Sequence, residues 1–294
     1  MNQQRLGVCC LLVGDQKSNF KTLQLNRTRA LSSPKDSVFS VYRHNLQELS
    51  RVLDYLLENN ITLYRIGSSM FPLADHPEFR KLWNEFCDDA SNWALAKQSV
   101  SNFIQRGGRL STHPDQFCVI SSSNEIVNFK SLINLEYHAK MFDMLGIPRS
   151  YFYPINIHVS NGKDCDISAK AVHSNLPLLS DSVRSRLVFE TEDKAGWTYQ
   201  NIIKHFPGVP VTLDYHHRLI NNLGESVEQA HKDCAATWGN TRPLFHHSEG
   251  KSHSLDRSHS DYIASLPACA VGVDIEIEAK QKNLAVLQLM AQSK

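Results

Sequence analysis

The chain has 294 residues, with 31 basic against 30 acidic side chains and a formal charge of +1. That balance excludes a histone-like or tail-driven nucleic-acid binder while leaving room for a local basic patch. With 41 % hydrophobic and 21 % charged residues, the chain can bury a core and is not disordered. Its 14 histidines are many for a globular chain, and histidine is the commonest metal ligand. The seven cysteines (Cys9, Cys10, Cys87, Cys118, Cys165, Cys234, Cys269) form no CxxC and are odd in number. They predict unpaired thiols in a reducing, cytoplasmic setting.

In chain order, residues 6–13 are apolar but too short to cross a membrane, and predict a buried first strand. Phe39, Tyr42, Leu46, Leu49, Leu53, Leu56 and Leu57 recur at helical spacing. A second strand follows at 61–67, then a long helical stretch over 77–106 that ends at Gly107-Gly108. Further strands are predicted at 109–113, 153–159, 187–192, 209–215, 243–248 and 270–278. Between them, 125–145, 198–205, 225–238 and 258–265 read as helices, 167–180 as a weaker one, and 279–290 as the last. Loops are expected within 163–194 and at 248–260. No other stretch approaches 18 apolar residues. Short apolar strands alternating with helices mean parallel strands with helical crossovers. Eight such units in this length predict an α/β chain folded as one (β/α)8 TIM barrel over residues 1–294. An open doubly wound sheet would carry a GxGxxG loop after its first strand, and none is present.

The strand ends carry the chemistry. His113, His158, Glu190, Asp214, His246 and Glu278 close six successive strands, at intervals of 45, 32, 24, 32 and 32 residues. Each interval is about one βα unit, so one metal-competent group arrives at the C-terminal mouth of each strand, where barrel active sites are built. Histidines and carboxylates together suit divalent ions such as Mn²⁺ or Zn²⁺. Side chains alternate along a strand, so at most one of His216/His217 and one of His246/His247 is expected to ligate, whereas Glu276 and Glu278 share a face, so that either both face inward or one sits too deep to ligate. His44, His138, His173, His205 and His231 lie on helical stretches and are expected to be structural.

With these residues in hand, the chain resembles the ultraviolet damage endonuclease family. The resemblance spans nearly the whole sequence. It rests on Arg5-Leu6-Gly7, on Arg65-Ile66-Gly67 with Pro72, and on His76-Pro77. It continues through His113-Pro114-x-Gln116-Phe117, Asp214 with its histidine pair, the run from Ser258 to Ile263, and Glu278-Ala279-Lys280. The resemblance implies a metal-dependent DNA repair endonuclease that nicks damaged double-stranded DNA immediately 5′ to an ultraviolet photoproduct. It implies two to three divalent ions, Mn²⁺ foremost, with Zn²⁺ or Mg²⁺ as alternatives. By position, His113, His158 and Glu190 would hold one ion, and Glu190, Asp214, His246 and Glu278 a second. His217 with His259 would serve a third ion or the scissile phosphate, and Glu190, His217 and Lys280 would be catalytic. Gln116 and Phe117 would wedge into the duplex at the lesion. The chain departs from the family at Val8, Leu12, Phe117, Arg218 and Leu244, where tyrosine, asparagine, tyrosine, histidine and lysine are usual. The departures bear on lesion range more than on the metal ligands.

Residues 1–47 hold seven Lys/Arg against Asp15 and Asp36, a net of +5. Arg27 and Arg29 in that segment are therefore expected DNA contacts. Arg65, at the second strand's end, is a further candidate DNA contact, expected to touch either a phosphate or a buried carboxylate. A monomer without membrane association or an obligate protein partner is expected. Two other readings fit the same residues. One is a divalent-metal sugar isomerase or epimerase on the same barrel, and the other a barrel that binds damaged DNA without cutting it.

Overall fold

Every predicted strand forms, each shorter than its apolar run. A computed structural model describes residues 4–14, 20–159, 164–194, 196–221 and 224–292. The strands are β1 (Leu6–Cys9), β2 (Leu63–Ile66), β3 (Arg109–Thr112), β4 (Ile155–His158), β5 (Leu187–Glu190), β6 (Val211–Thr212), β7 (Leu244–His247) and β8 (Asp274–Ile277). They are buried along nearly their whole length, because helices cover their outer faces and side chains fill the barrel. The strands pair in parallel in the order β6-β5-β4-β3-β2-β1-β8-β7. The ring closes through a parallel bridge between Asp214 and His246, with His246 N–H donating to Leu213 O at 3.0 Å. The sequence therefore builds the predicted TIM barrel. Its N-terminal strand packs tightly: a Cβ on Gly7 would lie 2.4 Å from Leu63 Cγ, so glycine is required there.

The helices are α1 (Arg27–Ser32), α2 (Pro34–Glu58), α3 (Arg80–Asp88), α4 (Ala94–Gln105), α5 (Glu125–Met144), α6 (Cys165–Asn175), α7 (Asp181–Arg184), α8 (Tyr199–His205), α9 (Tyr215–Ile220), α10 (Val227–Ala236) and α11 (Lys282–Gln292). Pro34 opens α2 at a position where no intrahelical N–H is needed, and Tyr42, Leu46, Leu49, Leu53 and Leu56 form its buried stripe. The long stretch 77–106 is two helices, because the Asp89 carboxylate accepts from Ser91 N–H at 3.0 Å and turns the chain. No helix forms at 258–265. Ser258 N–H donates to Asp256 Oδ1 at 2.9 Å and Gly250 bridges His259, so local side-chain bonds and a short pairing replace helical ones. Three short helices escape the periodic pattern. Asn26, Ser180 and Asp214 cap α1, α7 and α9 by accepting from backbone N–H groups, and caps are their main sequence signal. The loops expected within 163–194 hold α6 and α7, with 163 itself outside the described residues.

At the barrel floor Asp274, fully buried, accepts from Arg5 (3.0 Å), Arg109 (3.0 Å) and Arg242 (2.7 Å). Arg109 also lies over the Phe152 ring at 4.5 Å. Arg5 is thus at the end opposite the ligand-bearing mouth. On the wall, Tyr42, Phe71, Trp83, Phe86, Trp93 and Tyr137 form an aromatic cluster; Phe71 and Trp83 lie 5.0 Å apart, centroid to centroid.

One helical histidine should contribute to acid sensitivity. His138 on α5 is fully buried, and its Nδ1–H donates to Asn134 O at 2.9 Å while Nε2 faces no acceptor. Burial pulls its pKa down to about 4. Between that value and the unfolded value of about 6.5, only the unfolded chain takes up the proton. Stability is thus fully present above pH 6.5 and lost as pH falls through 4. The loss should be about 3 kcal/mol, at 1.36 kcal/mol per pKa unit. Urea unfolding of the metal-free chain at pH 7 and pH 4 checks this, since His138→Gln should lose that much less between the two.

Candidate metal centre

The C-terminal ends of β3 to β8 converge on one cluster at the barrel mouth. His113, His158 and Glu190 offer ligand atoms all within 4.8 Å of one another, as do Glu190, Asp214 and His217, and Asp214, His246 and Glu278. The register explains this: His158 pairs with Glu190, and the Asp214–His246 bridge brings the last strands together. Glu190 is at the centre. Its Oε2 lies 3.0 Å from His113 Nε2 and 2.5 Å from Asn156 Nδ2, and its Oε1 lies 3.0 Å from His246 Nδ1 and 3.5 Å from His217 Nδ1. Burial raises the Glu190 pKa, but His246, His158 and His113 outweigh it and hold the carboxyl well below the usual range. Burial lowers His158 to about 4. For His217, burial is outweighed by Asp214, Glu190 and Glu278, which push it up to about 9. For His246, burial is outweighed chiefly by Glu190, and the ring rises to about 10.

The donor set fits divalent ions. His217 Nδ1–H donates to Thr191 O at 2.9 Å, which leaves its Nε2 lone pair for a ligand; His113 Nδ1–H donates to Pro114 O at 2.6 Å, and its Nε2 stands 3.0 Å from Glu190 Oε2, where a cation would replace the bond between them. His158 Nδ1, Asp214 Oδ2 and His246 Nδ1 are buried without a hydrogen-bond partner. Orphaned buried acceptors are costly unless something else satisfies them, and a cation would do so here. Asp214 Oδ1 is already committed, accepting from the backbone N–H of His216 and His217 at 2.8 and 2.7 Å, so its Oδ2 is the free atom.

Other expected site residues fall elsewhere. His216 bonds Ser248 Oγ and Ser254 O with its two ring nitrogens, and His247 bonds Ser265 O, so neither joins the cluster. His217 groups with Glu190 and Asp214 rather than with His259, whose Nδ1 stands 3.9 Å from Glu278 Oε2 at the rim. Lys280 is exposed, and its backbone N–H donates to Ser260 O at 3.0 Å. Of the two partners expected for Arg65, the structure shows the buried carboxylate. Arg65 is 6 % exposed, with Nε 2.5 Å from Glu276 Oε2 and Nη1 2.6 Å from Glu278 Oε1, so it faces the barrel interior and not DNA. Two buried carboxylates hold it there because a lone guanidinium in the barrel would be very costly.

The basic segment is also partly neutralised. Arg27 forks onto Glu78 (2.5 and 2.7 Å), Lys35 pairs with Glu85, and Arg43 donates to Asn92 (2.9 Å), while Lys17 lies outside the described residues. Arg29 is exposed on α1. Gln116 and Phe117 sit on the β3–α5 loop, with Phe117 76 % exposed rather than packed into the barrel. They border a cavity of about 960 Å³ that runs from His113, His158 and His217 past Asp75, Lys130 and Asn134. Asn156 has no forerunner in the sequence reading, whereas Glu276, on the same face as Glu278, is the deeper of that pair and bonds Arg65, Ser111 and His246 instead of joining the candidate ligand groups. Period two along the strands was their signal, since they precede His158 and Glu278 by two residues.

The UV-endonuclease UvdE family matches residues 4–294. This chain belongs to that family. Among its relatives, the UV DNA damage endonuclease of Nostoc sp. is 33 % identical, over 98 % of this chain and 89 % of the relative. That of Bacillus cereus strain B4264 is 30 % identical, over 92 % and 88 %. The crystal structure of SacUVDE superposes with a TM-score of 0.85 at 26 % identity, over 99 % of this chain and 98 % of that one. Endonuclease IV from Thermus thermophilus (TM-score 0.60, 12 % identity, 98 % and 97 % covered) shares the fold alone. So does a 3-keto-D-glucoside 4-epimerase from E. coli (TM-score 0.58, 11 % identity, 99 % and 98 % covered), and such distant likeness does not favour a sugar epimerase. No helix among the described residues is long and apolar enough to cross a membrane.

Proposed function

We propose that this UvdE-family chain hydrolyses a phosphodiester of damaged double-stranded DNA, nicking immediately 5′ to an ultraviolet photoproduct. The observation that carries the reading is the convergence of seven ligand-competent side chains, three with orphaned buried atoms, at the mouth of an open cavity. His113, His158, Glu190, Asp214, His217, His246 and Glu278 would hold two to three divalent ions, Mn²⁺ foremost. When bound, such ions polarise water and screen the charge of a phosphodiester.

The protein's own part is positional. Glu190 joins two of the candidate groups and sets the spacing between them. Pro114 O and Thr191 O fix the tautomers of His113 and His217. His259 and exposed Lys280, at the rim, are placed to meet the phosphate. Gln116 and exposed Phe117 are placed to fill the stack where damaged nucleotides leave it, and weakly paired lesions flip most easily. The cavity of about 960 Å³ has room for the displaced nucleotides. Affinity would come from phosphate contacts, with Arg29 a candidate and Arg27 available only if it leaves Glu78. The same reading makes the chain a cytoplasmic monomer with no obligate protein partner.

The test is a Mn²⁺ incubation with end-labelled duplexes carrying one photoproduct, one abasic site, or no damage. A metal-dependent nick 5′ to the photoproduct is expected. Cutting at the abasic site alone would replace the lesion class, and no cutting by metal-loaded protein would overturn the reading in favour of a damage binder.

A further inference from the structure

The outer nitrogen of His246 has partners of opposite demand, among them Asn156 Nδ2 at 3.5 Å, a weak donor on the same side of the question as Arg65. Glu276 Oε2 lies 3.1 Å from His246 Nε2, and Arg65 Nη2 lies 2.8 Å from the same atom. A carboxylate can only accept, so it requires Nε2–H. A guanidinium can only donate, so it requires a bare Nε2 and places the ring proton on Nδ1. The choice decides whether His246 can be a ligand. Nδ1 faces the candidate ligand cluster, 3.0 Å from Glu190 Oε1 and 3.6 Å from Glu278 Oε1, without a hydrogen bond. A ring protonated on Nδ1 has no lone pair to give there.

We propose that Glu276 is the positioning residue that makes His246 a metal ligand, by accepting Nε2–H and freeing Nδ1. The inference rests on the metal-centre reading above. Four features support it. First, His246 and Glu276 are register partners on β7 and β8, so both side chains leave the sheet on the same face. Second, both are fully buried, so no water competes for the bond. Third, Glu276 is itself held rigidly, with Oε1 accepting from Ser111 Oγ and Oε2 from Arg65 Nε at 2.5 Å. Fourth, Arg65 already has stronger partners for its other nitrogens, Nε on Glu276 and Nη1 on Glu278. Its Nη2 contact with His246 follows from that clamp and is not what anchors it. A carboxylate behind a ligating imidazole fixes its tautomer and raises its basicity, and losing one typically costs 10–100-fold in metal affinity.

Two variants and one spectrum separate this from a purely structural role as counter-charge to Arg65. Calorimetric Zn²⁺ titration of Glu276→Leu should show about 10–100-fold weaker binding at one site. The site built on His113, His158 and Glu190 should be retained. Glu276→Gln keeps an oxygen that can accept Nε2–H and should recover most of the affinity. A counter-charge role predicts that Gln fails as badly as Leu, and that result would overturn the proposal. The third measurement needs no folded variant. In ¹⁵N-histidine-labelled wild-type protein loaded with Zn²⁺, the His246 ring should carry its proton on Nε2. A proton on Nδ1, with Nε2 accepting from Arg65, would equally overturn it. Loss of Zn²⁺ binding altogether in the wild type would instead sink the metal-centre reading on which the proposal rests.

Discussion

Glu190→Gln should lose at least about a thousandfold in single-turnover cleavage of a photoproduct duplex, about 4 kcal/mol of transition-state stabilisation. Binding to the same duplex should stay within a few-fold. The substitution conserves shape in a site that is 1 % exposed, so the barrel has no cavity to absorb. What changes is charge and donor sense. Both Glu190 oxygens face nitrogens, His113 and Asn156 on one side and His246 and His217 on the other. An amide nitrogen on either side meets another nitrogen in place of a complementary partner. The carboxylate also belongs to two of the three candidate ion groups, so its loss weakens both at once. DNA affinity depends instead on phosphate contacts spread over the surface. Fluorescence anisotropy beside the cleavage assay separates the two. Parallel loss of binding and cleavage would remove Glu190 from the hydrolytic centre.

The largest expected stability effect is at the other end of the barrel. Asp274→Asn should destabilise the chain by about 3–5 kcal/mol, the usual cost of removing one partner from a buried ion pair. Asp274 is the shared acceptor for Arg5, Arg109 and Arg242, and also takes the Arg5 backbone N–H at 3.2 Å. Arg5 and Arg242 reach some solvent, at 15 % and 20 % side-chain exposure, but Arg109 has none. Burial already lowers the Arg109 pKa to about 10 despite the attraction of Asp274. Without the carboxylate, a buried guanidinium keeps the Phe152 and Pro243 carbonyls and the Phe152 and Trp238 rings, none of them charged. Urea denaturation measures the loss. An Asp274→Leu/Arg109→Met double variant should recover much of it, because replacing both partners of a buried pair with apolar groups is often near neutral. A double variant no better than Asp274→Asn would mean that the floor depends on its hydrogen bonds and not on charge pairing.

Much of this protein was legible in one dimension. Eight apolar runs alternating with helical periods specify a parallel barrel, since each run buries both faces and each helix must cross over the sheet. The near-regular recurrence of His113, His158, Glu190, Asp214, His246 and Glu278 placed a polar group at the same end of six strands. Because all barrel strands point one way, residues at equivalent strand ends must meet at one mouth. Order along the chain is enough for that conclusion.

Partner choice is different, because it depends on which side chains share a layer after the barrel closes. Arg65 ends a strand beside a mouth expected to meet DNA, and nothing in its neighbours along the chain tells a phosphate contact from a buried ion pair. Glu276 and Glu278, more than 200 residues away, decide it: β8 lies beside β1, which lies beside β2. The basic first segment read as net positive because Glu78 and Glu85, which neutralise Arg27 and Lys35, arrive from beyond the second strand. His216 and His217 are adjacent in sequence, yet only one enters the cluster. Asp214 caps α9 and so turns the chain into a helix at that point, which sends the two rings to different sides. The amino-acid pattern determined the barrel, the mouth and the identity of the ligand-bearing strands, because these follow from local periodicity and chain direction. Which carboxylate pairs with which cation, and which imidazole nitrogen faces the candidate ligand cluster, was decided only by closure of the ring, which sets distances that no local pattern encodes.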